Sequence, residues 1–285
     1  MSSNTSYKTL TVSIQDKIAH LVLNRPAEFN TMNVDFWHEL PQAIRSIDEQ
    51  AAARVIVISS TGKHFTAGMD LGVFMNPNNI SLRGDPARAA ENLRRLVLQL
   101  QDAFNVLETV RMPVLAAIQG GCIGGGVDMV SAADCRYCTA DAFFCIKETD
   151  LGMTADVGTL QRLPHLIPQG MIRELAYTAG KLSAQRAKEI GLVNEVFADQ
   201  AALLDGVMNI AREMAKRSPM AVAGCKEMIN YTRDHSVADS LKYMATWQSG
   251  MFRPEDMMQA LTAQQQKTAP EFAEIYPIRP PFSGN

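Results

Sequence analysis

Between Ile118 and Asp128 the chain reads Ile-Gln-Gly-Gly-Cys-Ile-Gly-Gly-Gly-Val-Asp, a glycine-dense stretch that runs into a helical pattern with an acid in its first turn. Gly124 to Gly126 carry no Cβ where the backbone meets the helix. The N–H groups there can approach a ligand closely, with the positive end of the helix dipole behind them. Such donors stabilise negative charge developing on an oxygen. The spacing does not fit G-x-G-x-x-G, because Cys122 stands where a second glycine is needed, and no Gly-Lys-Ser/Thr follows as in a phosphate-binding loop. A second glycine-containing turn, Lys63-His-Phe-Thr-Ala-Gly-Met-Asp70, follows the apolar run Val55-Ile-Val-Ile58. Each turn alone is a strand-to-helix connection; together they can converge on one carbonyl oxygen.

The elements that must position these turns are legible in the hydrophobic pattern. Leu10 to Ile14 and Ile18 to Leu23 alternate as paired strands, and Asn24-Arg25-Pro26 ends the second. Asn33 can cap a helix in which Phe36, Trp37, Leu40, Ile44 and Ile47 recur at helical spacing. Arg54 to Ser59 and Val114 to Ile118 read as buried strands. Gly72 to Asp85 reads as a mobile loop before a long helix from about Pro86 to Thr109. A helix to about Ala133 follows the glycine stretch, and Cys135 to Tyr137 and Ala142 to Ile146 are expected to pair as strands. From Asp199 onward the pattern is almost wholly helical, with breaks near Ser218-Pro219, Arg253-Pro254 and Ala269-Pro270. The expected class is α/β: a β-rich core, spiral, layered or doubly wound, with an α-helical C-terminal region.

Composition narrows the function classes. With 285 residues, 47% hydrophobic and 20% charged, the chain can bury a substantial core. Twenty-seven basic against 30 acidic residues leave a net charge of −3 and no basic stripe, so nucleic acid is not an expected partner. No apolar stretch is long enough to span a bilayer, Met1 to Tyr7 lack the core of a signal peptide, and no organelle address is evident. The expectation is a cytoplasmic protein that meets no membrane. Five cysteines suggest no disulfide framework, and Cys135 and Cys138 face opposite sides of a strand. With five scattered histidines as well, no metal site is expected.

Asn24-Arg-Pro26, Phe65-Thr-Ala-Gly-Met-Asp70, Ile118 to Asp128, Ala133-Asp134 and Thr159-Leu-Gln-Arg-Leu-Pro164 together resemble the enoyl-CoA hydratase/isomerase (crotonase) superfamily across nearly the whole chain. The resemblance implies a crotonase-like spiral of ββα units over residues 1–198, carrying the CoA and active sites. It implies a helical region, 199–285, that mediates trimerisation, commonly into a hexamer, and the Met- and Ala-rich face of Met208, Ala211, Met214 and Ala215 is expected to need a partner chain. By position, the oxyanion hole falls on the backbone N–H groups of Met69 and Gly125, next to Gly124. The CoA adenine and phosphates fall along Ala67, Gly68, Asp70 and Leu71, with Arg25 and Lys63 as phosphate partners. Coenzyme A enters as part of an acyl-CoA thioester substrate, so no separate cofactor is implied.

Within the superfamily the acids decide the reaction. Hydratases carry glutamate at the positions of Asp128 and Glu148, and usually a small residue at Asp156. The trio Asp128, Glu148 and Asp156 looks like that of Δ3,5-Δ2,4-dienoyl-CoA isomerases, which remove a proton at C2 and return one at C6. The resemblance makes Glu148 and Asp156 the transfer groups, and Asp128 a neighbour that pushes Glu148's titration upward. Each acid also has a plain structural reading: Asp128 favouring a helix N-terminus, Asp156 as a helix N-cap, Glu148 as a solvated loop residue. Alternative functions are a 2-enoyl-CoA hydratase and a non-catalytic, RNA-binding or structural relative. Acyl-chain length depends on how Phe74 to Leu82, Leu93 to Leu100 and the C-terminal helices pack.

Overall fold

The computed structural model describes residues 3–76 and 84–279. β1 (Ser3–Ser6) lies antiparallel to β2 (Leu10–Gln15), which turns into β3 (Ile18–Leu23). Asp16 and Lys17 at that turn both adopt left-handed φ, 51° and 64°, the conformation that matches a two-residue hairpin to the twist of its strands. α1 (Val34–Glu49) starts where Asn33 Oδ1 accepts the Phe36 N–H at 3.0 Å. β4 (Val55–Ser60) then pairs parallel to β3.

α2 (Leu71–Met75) opens the segment expected to be a loop, and residues 77–83 lie outside the described residues. α3 (Pro86–Thr109) is capped by Asp85, whose side chain accepts the Arg88 N–H. β5 (Val114–Ile118), β6 (Gly121–Ile123), α4 (Gly125–Ser131), β7 (Cys135–Thr139) and β8 (Phe143–Cys145) carry the chain through the glycine stretch. After these come α5 (Thr159–Arg162), α6 (Gln169–Thr178), β9 (Lys181–Ser183), α7 (Ala184–Glu189) and β10 (Glu195–Phe197).

Seven strands form one sheet in the order β1-β2-β3-β4-β5-β7-β10, and three form a second, β6-β8-β9. The strand pair expected between Cys135–Tyr137 and Ala142–Ile146 is therefore corrected. β7 runs parallel to β5 and β10, while β8 runs parallel to β6. Between them, Thr139 Oγ1 donates to Asp141 Oδ1 at 2.5 Å in a tight turn that sends the chain to the other sheet. Two apolar runs joined by a turn look like a hairpin in sequence, and only the pairing surfaces of β5 and β6 separate them.

The uninterrupted apolar strands are explained by burial on both faces. Ile56 and Ile58 of β4 enter the main core with Phe36, Leu40, Phe104 and Met129, whereas Val55 and Val57 point the other way. That second face is covered by α8 (Gln200–Ala215) through Leu203, Val207, Ala211 and Ala215, with Met208 and Met214 alongside. These Ala and Met positions, expected from the pattern to need a partner chain, thus pack on this chain's own sheet. α9 (Pro219–Thr232), α10 (Val237–Met251) and α11 (Pro254–Gln266) follow, two of them opening at the expected prolines. Buried Lys226 fastens α9 to the core: its Nζ donates to the carbonyls of Leu107 at 2.6 Å and Met112 at 3.0 Å, and to Asp134 Oδ2 at 2.8 Å. Among the described residues no helix is long and apolar enough to cross a membrane.

Candidate active site

The two glycine turns lie side by side, bonded as short strands. Phe65 N–H donates to Gln119 O at 2.8 Å, Thr66 N–H to Gly121 O at 3.1 Å, and Ile123 N–H to Thr66 O at 3.1 Å. On the other side, Met32 N–H donates to Gly68 O at 2.8 Å and Asp70 N–H to Met32 O at 3.1 Å. This alternation turns the Met69 N–H away from Met32. Gly68, at φ +86°, could not be another residue without strain: a Cβ there would sit 2.7 Å from Ile123 O and 3.5 Å from Gly125 N. The missing Cβ brings the Met69 and Gly125 turns together. Among the described residues, neither amide has an acceptor within the chain, which leaves two backbone donors for an external oxygen.

Glu148 abuts this point, and Asp128 and Asp156 lie near enough to act on its charge. Asp128, in the first turn of α4, is fully buried; its Oδ1 accepts the Thr159 N–H at 2.6 Å, and its buried Oδ2 has no hydrogen-bond partner. Burial pushes its carboxyl up to about 6 against the pull of the Thr159 bonds. Glu148 opens a 3-10 turn, Glu148–Leu151, and its Oε2 is also buried without a hydrogen-bond partner. Its Oε1 lies 3.1 Å from where a Cβ on Gly124 would stand, so the carboxylate abuts the oxyanion turn. Burial first, and the charge of Asp128 second, raise Glu148 to about 7. Asp156 is half-buried and raised by burial, and its main-chain carbonyl accepts from Gln101 Nε2 at 2.6 Å.

The plain structural readings of the acids are answered by geometry. Gly158, not Asp156, occupies the N-cap of α5, and Glu148 is turned into the protein rather than toward solvent. Asp128 does stand in a first helical turn, but it holds the amide of Thr159 across the site.

The residues assigned to CoA divide. Gly68 is buried, Ala67 and Asp70 are half-buried, and Leu71 is exposed. Asp70 caps α2 through the Gly72 N–H at 2.9 Å and accepts from Thr31 Oγ1 at 3.1 Å. Arg25 is drawn into the same knot, donating to Thr31 O at 2.6 Å with a guanidinium nitrogen 3.8 Å from Asp70 Oδ2. It fastens the Met69 turn, while Lys63 is the exposed cation of the two. Two residues of this turn to which the sequence assigned no role complete the assembly. His64 Nδ1 accepts the Gly121 N–H at 2.9 Å, and Thr66 Oγ1 accepts from Gly68 N at 3.1 Å while donating to Asn30 O at 2.7 Å.

A cavity of about 1030 Å³ lies between α1 and α3, walled by Trp37, Met69, Leu96, Leu98 and Leu100. Met69 is its link to the oxyanion turn; none of the three acids lines it. Of the segments expected to set pocket depth, Leu93 to Leu100 contributes to this wall, whereas residues 77–83 and the side chain of Phe74 lie outside the described residues.

This fold and this pairing of amides with acids go with a sequence match over most of the chain. Residues 13–275 match the Enoyl-CoA hydratase/isomerase family, and the chain belongs to it. It is 43% identical to the peroxisomal Delta(3,5)-Delta(2,4)-dienoyl-CoA isomerase of Arabidopsis thaliana, over 95% of this chain and 99% of the relative. It is 46% identical to the mitochondrial Delta(3,5)-Delta(2,4)-dienoyl-CoA isomerase of Homo sapiens, over 90% of this chain and 79% of the relative. Among solved structures, enoyl-CoA hydratase from Bacillus anthracis is similar at a TM-score of 0.79 and 29% identity, covering 98% of this chain and 99% of that one. The relatives' compartments overturn the expected cytoplasmic location, since both isomerases are named for organelles. Short address signals are read by receptors and contribute nothing to the fold, so a pattern search of the sequence was a weak basis for a compartment.

Proposed function

We propose that this protein isomerises 3,5-dienoyl-CoA to 2,4-dienoyl-CoA in fatty-acid β-oxidation. The observation that carries the reading is the meeting of two unengaged amides, Met69 and Gly125, with a cluster of acids raised toward neutrality by burial. The thioester carbonyl accepts from both amides. One carboxylate removes the proton at C2, the electron pair is held as an enolate delocalised over the diene, and a carboxylic acid returns a proton at C6. The C3=C4 and C5=C6 bonds become C2=C3 and C4=C5, with no net change in protons or electrons. Glu148 and Asp156 share the two transfers, and Asp128 keeps Glu148 protonated to higher pH. Coenzyme A is part of the substrate, and the chemistry calls for no metal or further cofactor.

Residues 1–198 form the catalytic part of this proposal, and 199–285 the part that assembles copies of the chain. With Met208, Ala211, Met214 and Ala215 packed on this chain's own sheet, support for a trimer or hexamer shifts to exposed Ile229, Val237, Leu241 and Met258 on α9 to α11. Light scattering tests it, and a monomer at micromolar concentration refutes it. An ultraviolet assay comparing 3,5-dienoyl-CoA with 2-enoyl-CoA tests the reaction. Faster hydration of the 2-enoyl substrate than isomerisation of the diene would replace this assignment with a hydratase.

A further inference from the structure

One face of α3 reaches the turn that carries Asp156. Gln101, Asn105 and Glu108 stand at i, i+4 and i+7, the spacing of a single helical stripe. Gln101 Nε2 donates to the Asp156 carbonyl at 2.6 Å. Asn105 Oδ1 accepts from Arg162 Nη2 at 2.6 Å, and Glu108 Oε2 takes Arg162 Nε at 2.9 Å and Nη2 at 2.7 Å. The Arg162 side chain so held is 9% exposed. Its remaining arm, Nη1, donates to the Val157 carbonyl at 3.3 Å and abuts Gly158, where a Cβ would stand 1.7 Å from it. Gly158 has φ +133°, so both the space and the backbone there admit glycine alone.

The segment gripped in this way runs from Asp156 to Thr159. Its first residue is a candidate proton-transfer group, and its last donates the amide that holds Asp128. We infer that the α3 stripe and Arg162 form a positioning device that fixes Asp156 relative to Glu148 along the acyl chain, with Arg162 as its central positioning residue. A guanidinium suits the place because its planar fork gives Glu108 two donors, Nε and Nη2, while also reaching Asn105 and Val157, four bonds where an ammonium has three donors on one atom. The inference rests on the isomerase reading, in which two acids at separated carbons must be placed together. A displacement of about 1 Å at such a group can cost roughly a hundredfold in rate.

The test is steady-state isomerisation of a 3,5-dienoyl-CoA by Arg162→Ala, Arg162→Lys, Gln101→Ala and Asp156→Asn in the full-length protein. A cavity of about 280 Å³ lined by Gln101, Asn105, Glu108 and Arg162 adjoins the guanidinium, giving a small cation a route to the vacated site. For Arg162→Ala the expected result is a loss of about 30-fold or more in kcat, with KM within about threefold, since the group acts on placement and not on binding. Added guanidinium should restore part of the rate, methylammonium should not, and Arg162→Lys should stay impaired. Gln101→Ala should lose about tenfold in kcat alone and decides the matter if Arg162→Ala does not fold. Wild-type kcat in either folded variant, a loss shared equally by KM, or no recovery with guanidinium would overturn the inference. Asp156→Asn and the wild type separate this failure from that of the isomerase reading: a near-native Asp156→Asn shows that Asp156 transfers no proton and overturns the inference, whereas a wild-type protein that does not isomerise the diene fails the reading itself.

Discussion

Gly68→Ala probes the convergence of the two turns most directly. At φ +86° an alanine pays about 1–2 kcal/mol for the left-handed backbone wherever it occurs. At Gly68 its Cβ also meets Ile123 O at 2.7 Å, and ordinary contact begins at 3.4 Å, so one turn must retreat by about 0.7 Å. Because the same Cβ would stand 3.5 Å from Gly125 N, the retreat separates the two donors that are to share one oxyanion. Misplacement on this scale costs roughly 100-fold in rate, or about 2.7 kcal/mol of transition-state stabilisation. Gly191 supplies the control. It has the same φ of +86°, but a Cβ there would be in ordinary contact, 3.6 Å from Leu166 O. Thermal unfolding of Gly191→Ala should therefore report the backbone strain alone, with kcat on 3,5-dienoyl-CoA unchanged, and Gly68→Ala should lose both stability and kcat. A folded Gly68→Ala variant with kcat within about threefold of wild type would refute the assignment of Met69 and Gly125 as a donor pair.

Glu148→Gln and Asp156→Asn should each lower kcat by at least ~100-fold with little change in KM, as expected of proton-transfer groups; near-native turnover by either removes that residue from the role. Asp128 has a folded value of about 6 against about 4 unfolded, so its contribution to stability is complete below pH ~4 and lost as pH rises through ~6. The unfolding free energy of Asp128→Asn should accordingly fall less between pH 5 and 8 than that of wild type, by up to roughly 1.4 kcal/mol. An equal fall would show that Asp128 does not carry the dependence. The same variant removes a charge that raises Glu148, so any Glu148 limb in the kcat/KM profile should move to lower pH. Asp128→Glu combined with Asp156→Gly should raise the ratio of 2-enoyl-CoA hydration to diene isomerisation, and an unchanged ratio would disconnect these acids from reaction choice.

Local rules were enough for much of this protein. Asn33 and Asp85 cap the helices their neighbours' periodicity announced, Ser218-Pro219 and Arg253-Pro254 open helices where proline is tolerated, and β4 and β5 stand as continuous apolar runs. The glycine turns were visible because only glycine permits such backbone approach, and the acids were visible through resemblance to a family. Other features required the tertiary structure. A one-dimensional pattern does not say which strand a strand will join, so β7 and β8 looked like partners while belonging to separate sheets. Nor does an apolar helix face name its cover: Ala211 and Ala215 looked like an interface and instead close the chain's own sheet. Arg25 was legible as a cation but not as the fastening of Asp70. The raised acids, the His64 bridge and the grip of α3 on the Asp156 turn arise between residues far apart in sequence, where burial and hydrogen bonding depend on chain crossings that no local pattern records.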